Sequence, residues 1–281
     1  MRNYRPFILI FLFNLLWSSS FSQQYLFDVE HLTTDDGLAN LFTSAIFQDS
    51  KGFIWIGTKY GLNRYDGYTF KHYTKEENGL SYDNKIVGIA EDDNARLWIG
   101  IEHLGSMVFD VFDTKTEQAT SLRSHFGDEL PFTRDELLIF GKLPFTNIIW
   151  LTTKTGLLYL YQNNQFQKIM EGLPPFMNHV VRTGDGEYWL AGEKTLIHTD
   201  KNGQILETQT FINVVQELWI EKNDRLWLQL PYHEGLVHKY NMRVKEKDSA
   251  DLKPFYLKIE ENSILFNFYF SVAELENQFW Y

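Results

Sequence analysis

The chain has no cysteine among its 281 residues. Disulfides, thiolate metal sites, cysteine nucleophiles and a lipid-modified N-terminal cysteine are therefore all excluded. Positive charge is scarce too, with 26 Lys and Arg against 37 Asp and Glu and a net charge of −11. A protein that neutralises phosphates carries a basic face, so nucleic acid and anionic membranes drop out as partners. Long apolar runs are nearly absent. The one present, Pro6 to Trp17, follows Arg2 and Arg5 and precedes the small-residue stretch Ser18 to Ser22. It falls short of the roughly 20 residues that span a bilayer, so residues 1–22 read as a signal peptide cleaved after Ser22. On that reading the mature chain is exported and periplasmic.

Motifs that carry chemistry are missing as well. His233-Glu234-Gly235-Leu236-Val237-His238 has its second histidine one residue too late for a zinc-protease helix, which needs both on one face at i and i+4. Asp92-Asp93-Asn94 and Asp200-Lys201-Asn202-Gly203 lack the spaced carboxylates and closing glutamate of a calcium loop and read as turns. Gly184-Asp185-Gly186 is a turn with no helix after it to cradle a phosphate, and no G-x-S-x-G elbow occurs. Neither a metal nor a cofactor is expected.

What is present is a repeat. KGFIWIGTKYGLNRYD, Lys51 to Asp66, recurs in looser copies around Trp98, Trp150, Trp189, Trp227 and Trp280, at intervals of 38 to 53 residues. Blades of a β-propeller take about 40 to 50 residues each. The expected fold is all-β, a propeller of four-stranded blades over residues 23–281, with about five blades and the start of a sixth. In the first copy the strands are LFTSAIFQD, FIWIGT, GLNRYD and YTFKHY. The second repeats the order and ends in a polar tail through Ser124. Before them, Tyr25 to Leu32 reads as a lone strand and Asp35-Asp36-Gly37 as a turn. Two polar inserts, Ser121 to Glu136 and Met242 to Lys253, are expected as loops between blades.

Packing explains the pattern. A blade buries both faces against its neighbours, so its strands are apolar runs, and a tryptophan supplies on the order of 150 to 250 Å² of contact. Three residues before each tryptophan stand Gly52, Ala95, Asn147, Gly186, Asp224 and Asn277, hairpin-turn residues in all copies but that of Ala95. Two residues after it stand the small Gly57, Gly100, Thr152 and Ala191, with Gln229 departing.

The connection after each tryptophan strand varies between copies, and in a propeller all such connections share one face. They carry Lys59 and Tyr60, Glu102 and His103, Thr153 and Lys154, Glu193 and Lys194, and Tyr232, His233 and Glu234. Polar and aromatic groups at one mouth suit a sugar, whose hydroxyls take directional hydrogen bonds and whose C–H faces stack on rings.

LTTDDGLAN, FQDSKGFIWIGTKYGLNRYDGYTFKHY and the LWIG of the second copy resemble the two-component regulator propeller, closely over residues 30–110 and weakly beyond. The resemblance implies the exported N-terminal sensor of a hybrid histidine kinase of the Bacteroidetes type. Such sensors usually have two seven-bladed propellers, a β-sandwich, a membrane helix and cytoplasmic kinase and regulator domains, and their ligands are usually oligosaccharides. This sequence departs from the pattern by stopping at Tyr281 in its sixth repeat, without a kinase or phosphoacceptor domain, so it is not expected to be an enzyme itself. It reads as a truncated frame or an excerpt of a longer protein, whose downstream propeller and sandwich would be its partners. An open blade edge would favour self-association. Two alternatives stand beside the sensor: an exported carbohydrate lyase or hydrolase using His103 and Tyr60, and a non-functional remnant.

Overall fold

A computed structural model of the chain describes residues 31–133, 136–234, 237–249, 251–255, 273–275 and 278–280, with backbone alone at 138, 232–241, 255 and in the last two stretches. The expected leader 1–22 and all but the last two residues of the expected strand Tyr25 to Leu32 lie outside the described residues. Internal contacts divide the chain after Leu32, and the second unit, Thr33–Tyr281, carries the fold. It opens on the Asp-Asp-Gly turn. Thr34–Asp36 forms one 3-10 turn, capped by the Thr33 hydroxyl and closed by Gly37 at φ 103°.

Among the described residues five four-stranded antiparallel sheets follow, each with its strands in chain order. Blade 1 comprises β1 (Thr43–Gln48), β2 (Ile54–Thr58), β3 (Gly61–Tyr65) and β4 (Phe70–Tyr73). Blade 2 comprises β5 (Ile86–Glu91), β6 (Arg96–His103), β7 (Ser106–Asp113) and β8 (Gln118–Ser121). Blade 3 holds β9 (Leu137–Lys142), β10 (Ile149–Thr153), β11 (Leu158–Gln162) and β12 (Gln165–Met170). Blade 4 holds β13 (His179–Arg182), β14 (Tyr188–Gly192), β15 (Thr195–Thr199) and β16 (Ile205–Thr210). Blade 5 holds β17 (Glu217–Ile220), β18 (Leu226–Glu234), β19 (Val237–Lys245) and β20 (Lys253–Phe255), and a hairpin of β21 (Ala273–Leu275) and β22 (Gln278–Trp280) carries Trp280. The fold is the expected β-propeller of four-stranded blades.

Trp55, Trp98, Trp150 and Trp189 each sit on the second strand of their blade and pack into the next. Trp55 joins Leu97, Ile99 and Phe112 of blade 2 in one core, and Trp98 joins Phe140, Ile149 and Tyr161 of blade 3 in another. Trp150 packs with Val180, Leu190 and Ile197, and Trp189 with Leu218, Leu226 and Leu228. Trp55 and Trp98 are wholly buried. At about 25 cal/mol per Å², each such indole contributes on the order of 4 to 6 kcal/mol of apolar burial. The small residue two places on has a steric cause at Gly57, where a Cβ would come within 2.7 Å of the Ile86 side chain on the next inner strand.

Four expectations need correction. Ala95 takes the left-handed conformation at φ 58°, as Gly52, Gly186 and Asp224 do, so the turn imposes its backbone even on an alanine. In blade 3 the left-handed residue is Phe145, not Asn147, because that turn is one residue longer and closes with Leu143 N–H donating to Ile148 C=O at 2.9 Å. The tail after the third strand of blade 2 is no polar appendage. It contains β8 and a short helix, Leu122–Phe126, capped by Ser121, whose Leu122 and Phe126 are buried beside Trp98. Finally, Met242 to Lys253 is not a loop between blades, since Met242 pairs with Phe255 and Val244 with Lys253 in blade 5. Ser121 to Glu136 does connect blades 2 and 3, and it contributes Phe132 to the core.

Candidate functional site

In an antiparallel meander, the turn between the second and third strands lies at the same sheet end as the segment leading into the first strand. The backbone ties the two together in blades 1 to 3. Lys59 N–H donates to Phe42 C=O at 3.1 Å, Glu102 to Lys85 at 2.8 Å and Lys154 to Glu136 at 2.8 Å. In blade 4 the turn is tied instead to the segment that leads into blade 5, where Phe211 N–H donates to Lys194 C=O at 2.7 Å and Val215 N–H donates to Glu193 C=O. The variable pairs therefore sit in a double-layered rim.

Their side chains fare differently. Lys59, Lys154, Glu193 and Lys194 are exposed, and the Tyr60 ring is 58% exposed. Thr153 is buried instead, its hydroxyl accepting from Leu157 N–H at 3.0 Å and sharing a hydrogen bond with Thr155. Glu102 pairs with Lys85 at 3.0 Å. Tyr232, His233 and Glu234 lie on β18, with His233 directly across from His238 of β19, and only their backbone is described. Among the described residues no group of three or more His, Asp or Glu is placed to hold a metal ion.

His103 is the predicted residue with a built environment. Its ring stacks on Tyr82 with centroids 3.7 Å apart and planes 15° apart, and its Nδ1 lies 2.5 Å from Asn84 Nδ2. Tyr82 also forms the wall of a cavity of about 410 Å³ between blades 2 and 3. Ser81, Ser121, Arg123 and Ser124 supply its polar groups, and Phe109 and Phe132 part of its apolar wall. Ser81 is locked in place, because its N–H and hydroxyl both donate to the fully buried Asp110 at 2.7 and 2.5 Å. Tyr82 carries no repeat motif, and Ser121 to Ser124 stood out only as part of a polar insert, so neither was expected in a site.

A second group emerges on the inner strands. Register aligns Ala45, Gly88, Ile139, His179 and Glu217, each opposite the residue two places after a repeat tryptophan. The first three are small or apolar, and the last two are ionisable. His179 Nδ1 and Glu217 Oε2 stand 3.9 Å apart at a cavity of about 240 Å³ that Lys142 also lines. Burial holds His179 down at about 4 and lifts Glu217 to about 7, while it lowers Lys142 against a smaller opposing pull from Glu91. Aligning the inner strands, rather than the turns, would have exposed this pair, and Gln229, the departure from smallness, is the residue facing Glu217.

Comparison with known proteins bears on the repeat. Residues 37–60 match the two-component regulator propeller family. The chain carries the two-component regulator propeller repeat. Over 73 residues it is 42% identical to "Histidine kinase P4" of Formosa agariphila, a stretch that covers 26% of this chain and 5% of that protein. The extracellular domain of a hybrid two component system from B. thetaiotaomicron superposes with a TM-score of 0.61 at 18% identity, over 88% of this chain and 33% of that one. A luciferin-regenerating enzyme superposes at 0.51 and 11% identity, over 76% of this chain and 80% of that one. These two likenesses are of fold. The chain thus spans a third of that extracellular domain and about a twentieth of the kinase it matches.

Proposed function

We propose that residues 23–281 are the ligand-sensing part of an exported two-component sensor, that residues 1–22 are its leader, and that its ligand is an oligosaccharide or a similar small polar molecule. The observation that carries this reading is the Tyr82–His103 stack at a cavity of mixed hydroxyl, guanidinium and aromatic character, on the rim where the repeats differ most. Aromatic faces with a few directed polar groups are what a sugar requires. Lys59, Tyr60, Glu102, Lys154, Glu193 and Lys194 extend the same rim, and Tyr232, His233 and Glu234 extend it in sequence. Kinase and membrane parts of a longer protein would receive the signal, and self-association through a blade edge is a further route.

Calorimetric titration with a panel of neutral and acidic oligosaccharides tests the reading. Binding that Tyr82→Ala and His103→Ala each weaken at least tenfold is expected, and a panel in which nothing binds would sink it. Fractionation of expressing cells should place a chain starting at Gln23 in the periplasm. The rival reading is catalysis, which the His179–Glu217 pair favours, since one neutral imidazole beside one half-protonated carboxyl is the equipment of acid–base chemistry. Our reading expects no new reducing ends or unsaturated products from a polysaccharide panel, and their appearance would favour the rival.

A further inference from the structure

The cavity walled by Tyr82 has one ionic group in its lining, and that group is a cation. The Arg123 guanidinium stands there with the hydroxyls of Ser81, Ser121 and Ser124, while apolar residues such as Val108 and Phe109 of β7 and Leu137 of β9 make up the rest. No carboxylate lines it, in a chain that carries 37 acids against 26 Lys and Arg. The acids that neighbour Ser81 and Tyr82 are engaged elsewhere. Asp110, fully buried, accepts from Ser81 N–H and hydroxyl at 2.7 and 2.5 Å, and Asp83 accepts from Lys75 N–H at 2.6 Å.

The guanidinium has donors to spare. It carries five N–H groups, and among the described residues its one hydrogen bond runs to Asp128 Oδ1 at 3.3 Å. The Asp128 side chain is fully exposed and that of Arg123 is 58% exposed, so water screens the pair and holds it weakly. A carboxylate entering the cavity can take the guanidinium through two parallel bonds, the arrangement that binds it best. The serines add directed groups. Ser121 Oγ accepts from Ser124 N–H at 3.2 Å and lies 2.8 Å from Ser124 Oγ, so one hydroxyl donates to the other and the second keeps its hydrogen for a ligand. Ser81 spends its hydrogen on Asp110 and keeps its oxygen as an acceptor. A fork of cationic donors, a hydroxyl donor, a hydroxyl acceptor and an aromatic ring match the carboxylate, hydroxyls and C–H face of a sugar acid.

We infer that this cavity selects acidic oligosaccharides over neutral ones, with a uronate carboxylate bound by Arg123, and that Arg123 is the residue that sets the preference. The inference rests on the sensing reading above and narrows its ligand class. At about 410 Å³ the cavity falls within the usual range for small-ligand sites. Asp128 is then the carboxylate that a ligand displaces, an exposed acid that gives way to one held between the guanidinium and the serine hydroxyls.

The test is calorimetric titration of the full chain with two matched pairs, digalacturonate against α-1,4-galactobiose and cellobiouronate against cellobiose. In at least one pair the acid should bind at least tenfold more tightly than its neutral counterpart. Arg123→Gln should shrink that difference to about twofold or less. Asp128→Asn, a change at a fully exposed side chain, should tighten the acid about twofold by removing its competitor. Neutral sugars that bind as well as the acids, a preference that survives in a folded Arg123→Gln, or an acid that Asp128→Asn weakens would each overturn the inference and leave the sensing reading standing. Silence from both acids at roughly 20 mM, a concentration that saturates a millimolar site, overturns it too. The sensing reading falls only when the whole oligosaccharide panel is silent.

Discussion

Replacing Glu217 by Gln should change how folding stability depends on pH, in a direction opposite to the change that His179→Gln produces. Burial depresses His179 from 6.5 to about 4, so the unfolded chain takes up the proton first, and the native state loses stability as pH falls through that window. At 1.36 kcal/mol per unit the full loss is at most about 3 kcal/mol, for a side chain that keeps 19% of its exposure. Glu217 is raised from 4.5 to about 7, so its penalty grows as pH rises through 4.5 to 7. Its side chain keeps 45% exposure, so solvent screening makes this penalty the smaller one. Between pH 4.5 and 6.5 the two slopes oppose each other and hide one another in the parent protein. Urea midpoints measured from pH 4 to 8 separate them. Relative to the parent, Glu217→Gln should gain stability as pH rises from 4.5 to 7, and His179→Gln should gain as pH falls from 6.5 to 4. If the 3.9 Å pair were a true ion pair, both variants would lose most in the window between, and the desolvation argument would be refuted.

Three substitutions probe the blades. Trp98→Ala should cost about 3 to 5 kcal/mol in urea denaturation, since the indole is fully buried against Phe126, Phe140 and Tyr161. Ala95→Gly should stabilise the fold by about 0.5 to 1 kcal/mol, read as a higher urea midpoint, because the left-handed backbone strains alanine by more than the extra freedom of unfolded glycine takes back. Gly57→Ala should lower thermal stability by more than 1 kcal/mol, roughly the cost of overpacking, as its Cβ meets Ile86 backbone and side chain at 2.7 to 2.9 Å.

The sequence carried the blades because their physics repeats. A tryptophan on the second strand, a left-handed turn residue three places before it and a small residue two after it recur through most of the copies. Where a copy is built in another way, the pattern loses its reading. Blade 5 keeps its fourth strand although the preceding segment, Met242 to Lys253, is polar enough to pass for a linker. Blade 3 lengthens its turn and hands the left-handed position to Phe145. The rim residues were legible as positions and not as contacts. Nothing in the spacing of His103 announces Tyr82, twenty-one residues earlier, or the serine-lined segment after β8. His179 and Glu217 escaped because they interrupt apolar inner strands, where a search confined to turns does not look.

The central claim is that a small polar ligand is sensed at the cavity walled by Tyr82, on which His103 stacks. Hydrogen–deuterium exchange of the full chain, with and without an oligosaccharide from the binding panel, tests it most directly. The account predicts slowed exchange at Ser81 and Tyr82, at Glu102 and His103, and across Ser121 to Ser124, with blade 4 unchanged. Protection confined to other blades, or exchange unaltered by every sugar in the panel, would contradict it.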